Sequence, residues 1–476
     1  MCGVFAVCGT PEAAKTTSVG LHHLQHRGQE AGGIVSFEGE HFYEHREGGL
    51  IGRIFNKSVV ARLSGTAAIG QVRYSTSGVK HEDVVKQARD AQPMLKKILP
   101  FGTVALAHNG NLTNAKTLQL ELALTGKVFE TQKSDDEMID TEVALMLIGA
   151  AIEPTLVGRL KTVLPLLEGA YAFIVMTSKQ MIGVCDPLGI RPLMLGRYKG
   201  AWMLASETCA IEGLDAEFVR PIQPGEMIAI EDGKITSHTF SVKQPSRLCI
   251  FEHIYFSKPD STLEGKSVMQ TREALGRELA REASIDADIV CAIPDSGNYA
   301  ALGFSQESGI PFAFGIIRHH YVGRVFIQPP DERDRDISLK HNIVRAAVQG
   351  KRVVLVDDSL VRGITAQRIV ARLKRAGARE VHLRLSSPPW QHGCYYGIDE
   401  ANVHRRVAKP YENVAVVCEH VCALTGADSV AYLSVDGMYR AVHGEPRNST
   451  CAQSCDACFT GRFPTPLTDR CGGRIH

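Results

Sequence analysis

The chain has 476 residues, which is long enough for two or three domains that each bury a core of their own. Its 53 basic residues are balanced by 52 acidic ones, so we expect a small-molecule partner, with no nucleic acid and no membrane surface. Its apolar stretches are shorter than a membrane span, and no secretory signal pattern is present. The 13 irregularly spaced cysteines indicate reduced thiols or metal ligands. These features together predict a cytoplasmic protein.

The amino terminus, Met1-Cys2-Gly3-Val4-Phe5, is the first informative stretch. Removal of Met1 would leave Cys2 with both a thiol and a free α-amine, and such an amine titrates near neutral pH. The amine can accept the thiol proton directly or through water, as in enzymes with an N-terminal threonine nucleophile. Cys2 is therefore a candidate catalytic nucleophile, although a second-position cysteine taken alone is usually just a residue near a frayed end.

Three spaced motifs follow in the first quarter of the chain: Leu24-Gln25-His26-Arg27-Gly28-Gln29-Glu30, Gly70-Gln71-Val72-Arg73-Tyr74-Ser75-Thr76 and Ala107-His108-Asn109-Gly110-Asn111-Leu112. Together with Cys2 they resemble the N-terminal-nucleophile glutaminase domain of the class II amidotransferases. Gln71 stands where relatives often have His. The resemblance implies an αββα sandwich that hydrolyses the side chain of glutamine through a tetrahedral oxyanion.

The resemblance also implies roles for individual residues. The side-chain amide of Asn109 and the backbone N–H of Gly110 would hold the oxyanion. Arg73 suits the α-carboxylate of glutamine because its guanidinium donates two parallel hydrogen bonds, while a surface salt bridge is the plainer interpretation. Arg27 is assigned to glutamine binding as well.

A carboxylate is needed for the α-ammonium of glutamine, and two candidates occur. Asp135 lies in Ser134-Asp135-Asp136-Glu137, and Asp140 lies in Ile139-Asp140-Thr141-Glu142-Val143. We favour Asp140 because it directly precedes an apolar helix predicted over 143–152, which resembles the Asp-Thr-Glu-Val helix start of the family.

The stretch from 168 to 209 predicts strands and a tight turn, with a strand at Ser206-Glu207-Thr208-Cys209 and a structural ion pair between Asp186 and Arg191. The first domain is expected to end near residue 245, before a linker. The second half opens with Cys249-Ile250-Phe251-Glu252-His253-Ile254-Tyr255-Phe256, which resembles the glutamine phosphoribosylpyrophosphate amidotransferases. That family resemblance implies a homo-oligomer, a dimer or a tetramer, and inhibition by purine nucleotides.

Two phosphate-binding loops are predicted in the second half. Val353-Val354-Leu355-Val356 indicates a buried strand of a parallel sheet, with Asp357 and Asp358 at its carboxyl end and a helix opening after the loop. This run resembles the phosphoribosyl pyrophosphate loop of type I phosphoribosyltransferases. The resemblance assigns the ribose phosphate to Ser359, Arg362, Gly363 and Thr365.

The second loop is Ile293-Pro294-Asp295-Ser296-Gly297, where Ser296 and Gly297 can bind pyrophosphate. Mg²⁺ is assigned to Ser296, Asp357 and Asp358, directly or through water. The family's flexible stretch that closes over the substrate falls at 318–327 and contributes Tyr321 and Arg324. Departures from the family pattern occur at Arg318-His319-His320, Ser338, His341 and Ile364.

Four cysteines form the last group. Cys455-Asp456-Ala457-Cys458 is a close pair, and Cys249 and Cys394 fall where iron–sulfur members of the family keep their other ligands. Four thiolates suit a [4Fe–4S] cluster or zinc, and one close pair with two distant cysteines favours the cluster. Cys451 is available as a substitute ligand, and reduced buried cysteine is the plain alternative.

We therefore predict an α/β and α+β protein, with an N-terminal-nucleophile αββα sandwich over 2–245 and a type I phosphoribosyltransferase domain over 249–476. The latter has a mostly parallel sheet and a cysteine-bearing C-terminal segment. The resemblance implies that ammonia made from glutamine at Cys2 reaches C1 of phosphoribosyl pyrophosphate, giving 5-phosphoribosylamine in the first committed step of purine synthesis. The alternatives are a divergent amidotransferase with another phosphosugar acceptor, and a non-enzymatic protein that senses phosphoribosyl pyrophosphate or iron.

Overall fold

The computed structural model describes residues 1–74, 90–124, 126, 139–319, 341–398, 406–410 and 412–471. Several residues singled out in the sequence lie outside the described residues: Ser75, Thr76, Asp135, Asp136, His320, Tyr321, Arg324 and Ser338.

The first half of the chain forms two antiparallel sheets that pack face to face. The seven-stranded sheet has the order β11-β9-β10-β1-β4-β2-β3, and the six-stranded sheet has the order β13-β12-β8-β7-β6-β5. The strand bounds are β1 Gly3–Cys8, β2 Ala31–Glu38, β3 His41–Gly48, β4 Ala67–Arg73, β5 Met94–Ile98, β6 Gly102–Leu112, β7 Gly169–Met176, β8 Gln180–Cys185, β9 Met194–Tyr198, β10 Ala201–Ala205, β11 Glu217–Pro221, β12 Glu226–Glu231 and β13 Lys234–Thr239.

Alternation along the strands explains the layering. In β1, Val4 and Ala6 face the second sheet, whereas Phe5 and Val7 face the outer helices, as expected from the two-residue period of a strand. The helices that cover the two outer faces are α1 Ala13–His23, α2 Ile51–Ile54, α3 Lys57–Val60, α4 Ala115–Leu124, α5 Asp140–Ala150, α6 Leu156–Val163 and α7 Cys209–Glu212. The predicted αββα sandwich is therefore confirmed.

Two local predictions for this half are wrong. Ser206, Glu207 and Thr208 form a bend after β10 and lead into α7, because their side chains are drawn into buried hydrogen bonds. Asp186 and Arg191 do not pair through their side chains. The Asp186 carboxylate accepts backbone N–H groups of its own turn, and the Arg191 guanidinium points to other partners.

The second half contains a parallel sheet of order β16-β19-β20-β21, as predicted for this domain. Its strands are β16 Ile289–Ala292, β19 Arg352–Asp357, β20 Glu380–Leu385 and β21 Ser429–Tyr432, and two short hairpins pair β14 Thr262–Leu263 with β15 Lys266–Ser267 and β17 Ile316–Arg318 with β18 His341–Ile343. The helices are α8 Val268–Glu282, α9 Asn298–Ser308, α10 Arg345–Val348, α11 Ile364–Arg375, α12 Val414–Thr425, α13 Val435–His443, α14 Ala457–Thr460 and α15 Thr468–Cys471.

The two halves are joined by a shared core and by the C-terminal segment. One buried apolar cluster combines Ala170, Leu188 and Ile190 of the first half with Ile250 and Tyr396 of the second. The segment around α15 crosses back to the first half, where the Asp469 carboxylate accepts the first N–H groups of α4, from Lys116 at 2.7 Å and Thr117 at 2.9 Å. Among the described residues, no helix is long and apolar enough to cross a membrane.

Candidate active sites of the two domains

Cys2 directly precedes β1 and contacts residues of two motifs that the sequence singled out. Its side chain is buried, its Sγ is 3.7 Å from the Tyr74 carbonyl oxygen, and its own carbonyl accepts the Arg27 Nε–H at 2.9 Å. Met1 is fully buried beside it, and burial lowers the pKa of the Met1 α-amine to about 5. The Met1 amine is therefore neutral above about pH 5.

Asn109 and Gly110 lie on β6, and each has an unusual environment. Asn109 is fully buried, yet neither its Nδ2 nor its Oδ1 has a hydrogen-bond partner among the described residues. An unmet amide of this kind costs about 1–3 kcal/mol, which indicates a ligand-binding position. Gly110 has a φ of +149°, and a Cβ there would lie 2.0 Å from the Ala170 carbonyl oxygen, so only glycine fits.

Asp140 is the first residue of α5, so the apolar helix begins three residues earlier than predicted. Its Oδ2 accepts the Leu112 N–H at 3.1 Å, its Oδ1 accepts the Thr141 N–H at 2.8 Å, and His108 Nδ1 is 3.5 Å away. Burial alone would raise the pKa of Asp140, but His108 and the backbone donors outweigh it and lower the pKa. Asp140 is thus an ionised carboxylate directly beside the end of β6.

Arg73 ends β4, where its guanidinium forms an ion pair with Asp90 at 3.4 Å. Both side chains are largely buried, so the pair is not the surface salt bridge that the sequence left open.

A buried polar chain that the sequence did not reveal connects β4 to α5. Gln71 donates to the His108 carbonyl and to Gln92 Oε1, and Gln92 Nε2 donates to Thr141 Oγ1 at 2.7 Å. Gln71, at the position where relatives often have His, therefore forms hydrogen bonds between the two sheets. Gln92 carries no recognisable signal in the sequence, because only the fold brings it to Gln71.

Arg27 is buried and makes all its contacts within the protein. Besides Cys2, its guanidinium contacts Glu207 at 2.5 Å and Glu252 at 2.8 and 3.0 Å. These partners occupy the guanidinium and connect it to the Cys2 backbone, while its contact with glutamine stays a prediction.

The second site lies where β16 and β19 end at the same edge of the parallel sheet. Ser296 Oγ donates to Asp357 Oδ1 at 3.3 Å, and Ser359 Oγ donates to Asp358 Oδ2 at 2.5 Å. A Cβ on Gly297 would lie 2.5 Å from the Val356 carbonyl oxygen, so this glycine lets the two loops approach closely. The structure thus brings together the two phosphate loops that the sequence predicted separately.

The protein environment disfavours ionisation of both aspartates at this edge. Burial raises the pKa of both Asp357 and Asp358, and the charge of Asp358 raises the pKa of Asp357 further. Two carboxylates and the Ser296 hydroxyl at one edge are oxygen ligands of the kind that Mg²⁺ prefers, and a cation would relieve their repulsion. The residues present therefore fit a magnesium ion.

The remaining residues of the acceptor site frame these loops. Gly363 has a φ of +75° directly before α11, while Ile364 and Thr365 in the first turn are exposed, and Arg362 is half-buried. His341, one of the departures from the family pattern, contacts the Pro294 carbonyl oxygen through Nε2 at 3.2 Å. Arg318 forms an ion pair with Asp295. Arg318 and His341 thus both contact the 293–297 loop.

The four predicted cluster cysteines come together from separate segments. The Ile250 N–H donates to the Cys455 carbonyl at 3.1 Å, and the Cys458 carbonyl accepts N–H groups from Gln391 and His392, just before Cys394. All four cysteines are buried in the shared apolar cluster. Cys451 is exposed and accepts a hydrogen bond from Arg247 at 3.0 Å.

Without a bound cation, Cys249, Cys455 and Cys458 are held as neutral thiols. Burial raises the pKa of Cys249 to about 11 against the effect of Arg191, and burial and the neighbouring cysteines raise the pKa of Cys455 and Cys458 well above the usual value. Within the described part of the chain, no three His, Cys, Asp or Glu side chains are arranged to hold a single metal ion. Four buried cysteine side chains from three segments of the chain are nevertheless the kind of donor set that thiolate-bound metal groups use.

Comparisons with known proteins show the family to which the chain is similar. A family model for a glutamine amidotransferase domain matches residues 80–213. The amidophosphoribosyltransferase of Rhizobium etli is 45% identical over 478 residues, which cover 99% of this chain and 93% of the relative.

Two solved structures match the fold over nearly the whole chain. One is described as the glutamine phosphoribosylpyrophosphate amidotransferase of B. subtilis complexed with ADP and GMP, with a TM-score of 0.87, 41% identity and 98% of each chain covered. The other is described as the allosteric regulatory enzyme of purine biosynthesis, with a TM-score of 0.87, 42% identity and coverage of 98% of this chain and 97% of that one. The chain belongs to the amidophosphoribosyltransferase family, the enzymes of the first step of purine biosynthesis.

Proposed function

We propose that Cys2 performs the glutaminase half of the family's reaction after removal of Met1. The free α-amine of Cys2 takes the thiol proton, and the sulfur attacks the side-chain carbonyl carbon of glutamine. The amine then returns the proton to the leaving nitrogen, which departs as ammonia, and water hydrolyses the thioester to glutamate. The observation that carries this proposal is the buried, unpartnered amide of Asn109 beside Gly110, which together supply two donors for the oxyanion.

Arg73 and Asp140 are proposed to bind the two ends of the amino-acid part of glutamine. Arg73 offers its fork to the α-carboxylate, and the ionised Asp140 accepts the α-ammonium. Asp135 stays the alternative for the ammonium. Arg27 is proposed to support Cys2, because its guanidinium is engaged by Glu207 and Glu252, while its contact with glutamine stays a prediction.

The second domain is proposed to present phosphoribosyl pyrophosphate to the ammonia. Ser359, Arg362, Gly363 and Thr365 hold the ribose phosphate, while Asp357 and Asp358 face the ribose hydroxyls. Ser296 and Gly297 hold the pyrophosphate, and Tyr321 and Arg324 are proposed to close over the substrate. The ammonia nitrogen attacks C1 and pyrophosphate departs from the opposite face, which inverts that carbon. Mg²⁺ at Ser296, Asp357 and Asp358 would neutralise charge on the departing group.

The four cysteines Cys249, Cys394, Cys455 and Cys458 are proposed to hold a [4Fe–4S] cluster, so that this is an iron–sulfur member of the family. The cluster would tie the C-terminal segment to both halves of the chain without taking part in the chemistry. We further propose that the two domains span 2–245 and 249–476 and that the protein is cytoplasmic. It is also proposed to form a homo-oligomer and to be inhibited by purine nucleotides.

The test supplies purified protein with glutamine, Mg²⁺ and phosphoribosyl pyrophosphate and measures glutamate and pyrophosphate together. We expect equimolar release of both products. Asp357→Asn should lower pyrophosphate release by about 100-fold or more, because a misplaced substrate reacts at least that much more slowly. Asp286→Asn, which changes an exposed carboxylate far from both loops, is the matched control.

A second arm separates the two half-reactions. Cys2→Ala should abolish the use of glutamine while sparing pyrophosphate release with added ammonium, and the intact mass should show loss of the initiating methionine. Glutamate without pyrophosphate at saturating substrates would leave only the glutaminase half and favour another acceptor. Normal glutamine hydrolysis by protein that retains Met1 would refute the role of a free Cys2 amine.

A further inference from the structure

Four charged side chains lie fully buried between the two halves of the chain: Arg27, Arg191, Glu207 and Glu252. Three belong to the glutaminase half, and Glu252 alone comes from the second half. Glu252 Oε1 contacts Arg27 at 2.8 Å and Arg191 at 3.3 Å, and Glu252 Oε2 contacts Arg27 at 3.0 Å. One carboxylate of the second domain therefore forms ion pairs with two arginines of the first.

The two arginines connect this carboxylate to backbone carbonyl groups. Arg27 Nε donates to the Cys2 carbonyl at 2.9 Å, and Arg191 donates to the Tyr396 carbonyl at 2.7 and 2.9 Å. Cys2 directly precedes β1, and its Sγ also lies 3.7 Å from the Tyr74 carbonyl oxygen. The hydrogen bond from Arg27 thus fixes the Cys2 carbonyl, and with it the backbone from which the thiol projects.

The carboxylate itself is held firmly in the second domain. Glu252 begins a π-helical turn, Glu252–Phe256, and Ser257 Oγ donates to its Oε2 at 2.6 Å. Burial alone would raise the pKa of Glu252, but Arg27 and Arg191 outweigh it and lower the pKa. Such single π turns are common at functional sites. Glu252 is therefore an ionised and oriented partner for Arg27.

The same region of the second domain also supports the oxyanion strand. Asn111 Nδ2 donates to the Tyr395 carbonyl at 3.0 Å, and an added Cβ on Gly397 would lie 3.3 Å from the Gly110 carbonyl oxygen. Glu252, which supports Cys2 through Arg27, thus closely follows Cys249 in the chain. Tyr395 and Gly397, which contact the strand of the oxyanion donors, closely follow Cys394.

Stability alone is a weak explanation for this arrangement. Burying two ion pairs costs several kcal/mol of desolvation per ion, and apolar residues of similar size often stabilise a core as well or better. What apolar residues cannot do is hold the Cys2 carbonyl by a charged donor of fixed direction.

We propose that Glu252 is a positioning residue for the glutaminase reaction: it fixes the Arg27 guanidinium, which in turn orients Cys2 for attack on glutamine. The inference rests on the proposed role of Cys2 as the nucleophile. Glu252 touches neither substrate nor reacting atoms, and it makes glutamine hydrolysis dependent on a residue of the acceptor domain.

The test compares Glu252→Gln with Glu252→Asp and with the control Glu264→Gln, an exposed glutamate of the same domain. Glu252→Gln keeps the shape but removes the charge, and should lower kcat with glutamine by about 100-fold, since it leaves Arg27 without its main anion. The KM for glutamine should stay within about threefold, because Arg73 and Asp140 are untouched. Activity with ammonium should also stay within about threefold of wild type.

Rescue by the conservative variant completes the test. Glu252→Asp retains the charge, so its kcat with glutamine should be at least about tenfold higher than that of Glu252→Gln. Iodoacetamide labelling of Cys2, followed by peptide mass spectrometry, should slow in Glu252→Gln and recover in Glu252→Asp.

Three outcomes would overturn the inference. They are an unchanged kcat with glutamine, parallel losses with glutamine and ammonium, and no difference between the two Glu252 variants. If Glu252→Gln gives no folded protein, the test uses Glu252→Asp instead. Its loss of activity with glutamine is then compared with its loss of activity with ammonium. Failure of the wild-type enzyme to hydrolyse glutamine would instead refute the proposed function.

Discussion

Buried carboxylates behave in opposite ways at the two sites of this molecule. Asp140 is surrounded by His108 and two backbone N–H donors, so its pKa is lowered and its charge is ready for a cationic group. Asp357 and Asp358 lie side by side in a buried loop, and their pKa is raised. The Asp140 carboxylate is thus kept ionised by its protein neighbours, whereas ionisation of Asp357 and Asp358 would be favoured by a cation from solution.

The choice between the two carboxylates for the ammonium of glutamine can be decided by kinetics. Asp140→Asn should raise the KM for glutamine by about 10- to 100-fold, because a hydrogen bond to a charged group contributes about 1.5–3 kcal/mol. Asp135→Asn, the matched control, should leave the KM unchanged. The measurement is steady-state glutamate release with each variant.

The pH dependence follows from the same lowered pKa. A carboxyl whose folded pKa lies below its usual value stays ionised above about pH 4, so in wild type this group should add no acid limb to the KM between about pH 5.5 and 8.5. The assignment fails if Asp135→Asn, and not Asp140→Asn, raises the KM. It also fails if the wild-type KM rises toward acid pH and Asp140→Asn removes that rise.

At the scale of elements, local sequence was enough for the strands and loops that carry the acceptor site. Val353 to Val356 form the buried core of β19, and the buried positions Ile369, Val370 and Leu373 of α11 follow a helical period. Contacts between distant elements left no such signal. Arg27 and Glu252 are 225 positions apart, and only the packing of the two halves brings them together.

The same limit explains the errors in the first half. Asp186 and Arg191 are close in sequence and opposite in charge, so an ion pair was the simplest prediction. The Asp186 carboxylate instead accepts the backbone N–H groups of Leu188, Ile190 and Arg191. The guanidinium of Arg191 contacts Glu252 of the second domain. A pattern within one turn could not show a partner on the other side of the domain boundary.

The cysteine-bearing segments give the prediction that belongs to this scale. Protein prepared without oxygen should be brown and contain about four irons and four sulfides per chain. Cys458→Ser should lose the iron and unfold at a lower temperature, because metal binding is coupled to folding. Cys451→Ser, which changes the exposed cysteine, should keep both iron content and melting temperature.

Metal analysis and sulfide assay of the three proteins check this prediction. Stoichiometric zinc without labile sulfide would rule out the cluster. Loss of iron in Cys451→Ser would instead make Cys451 a ligand.

At the scale of the whole molecule, the two halves share a core and a set of charges, so neither is complete alone. Arg27 and Arg191 face Glu252 of the second half, and Leu188 and Ile190 pack in the apolar cluster that both halves share. The Asp469 carboxylate adds a cap to α4 from the C-terminal segment. Cutting the chain at the linker would expose apolar surface and leave one glutamate for two buried arginines.

We therefore predict that a fragment of residues 1–245 cannot replace the intact chain in glutamine hydrolysis. Its kcat should be at least about 100-fold lower, since an uncompensated buried charge costs about 3–5 kcal/mol. Glutamate release and thermal unfolding of the fragment and the full chain are the measurements. Adding a fragment of 246–476 should restore part of the activity, because it returns Glu252 and Tyr396 to the arginines. Full glutaminase activity of the first fragment alone would show that the glutaminase half is independent, and that the buried charges only join the two halves.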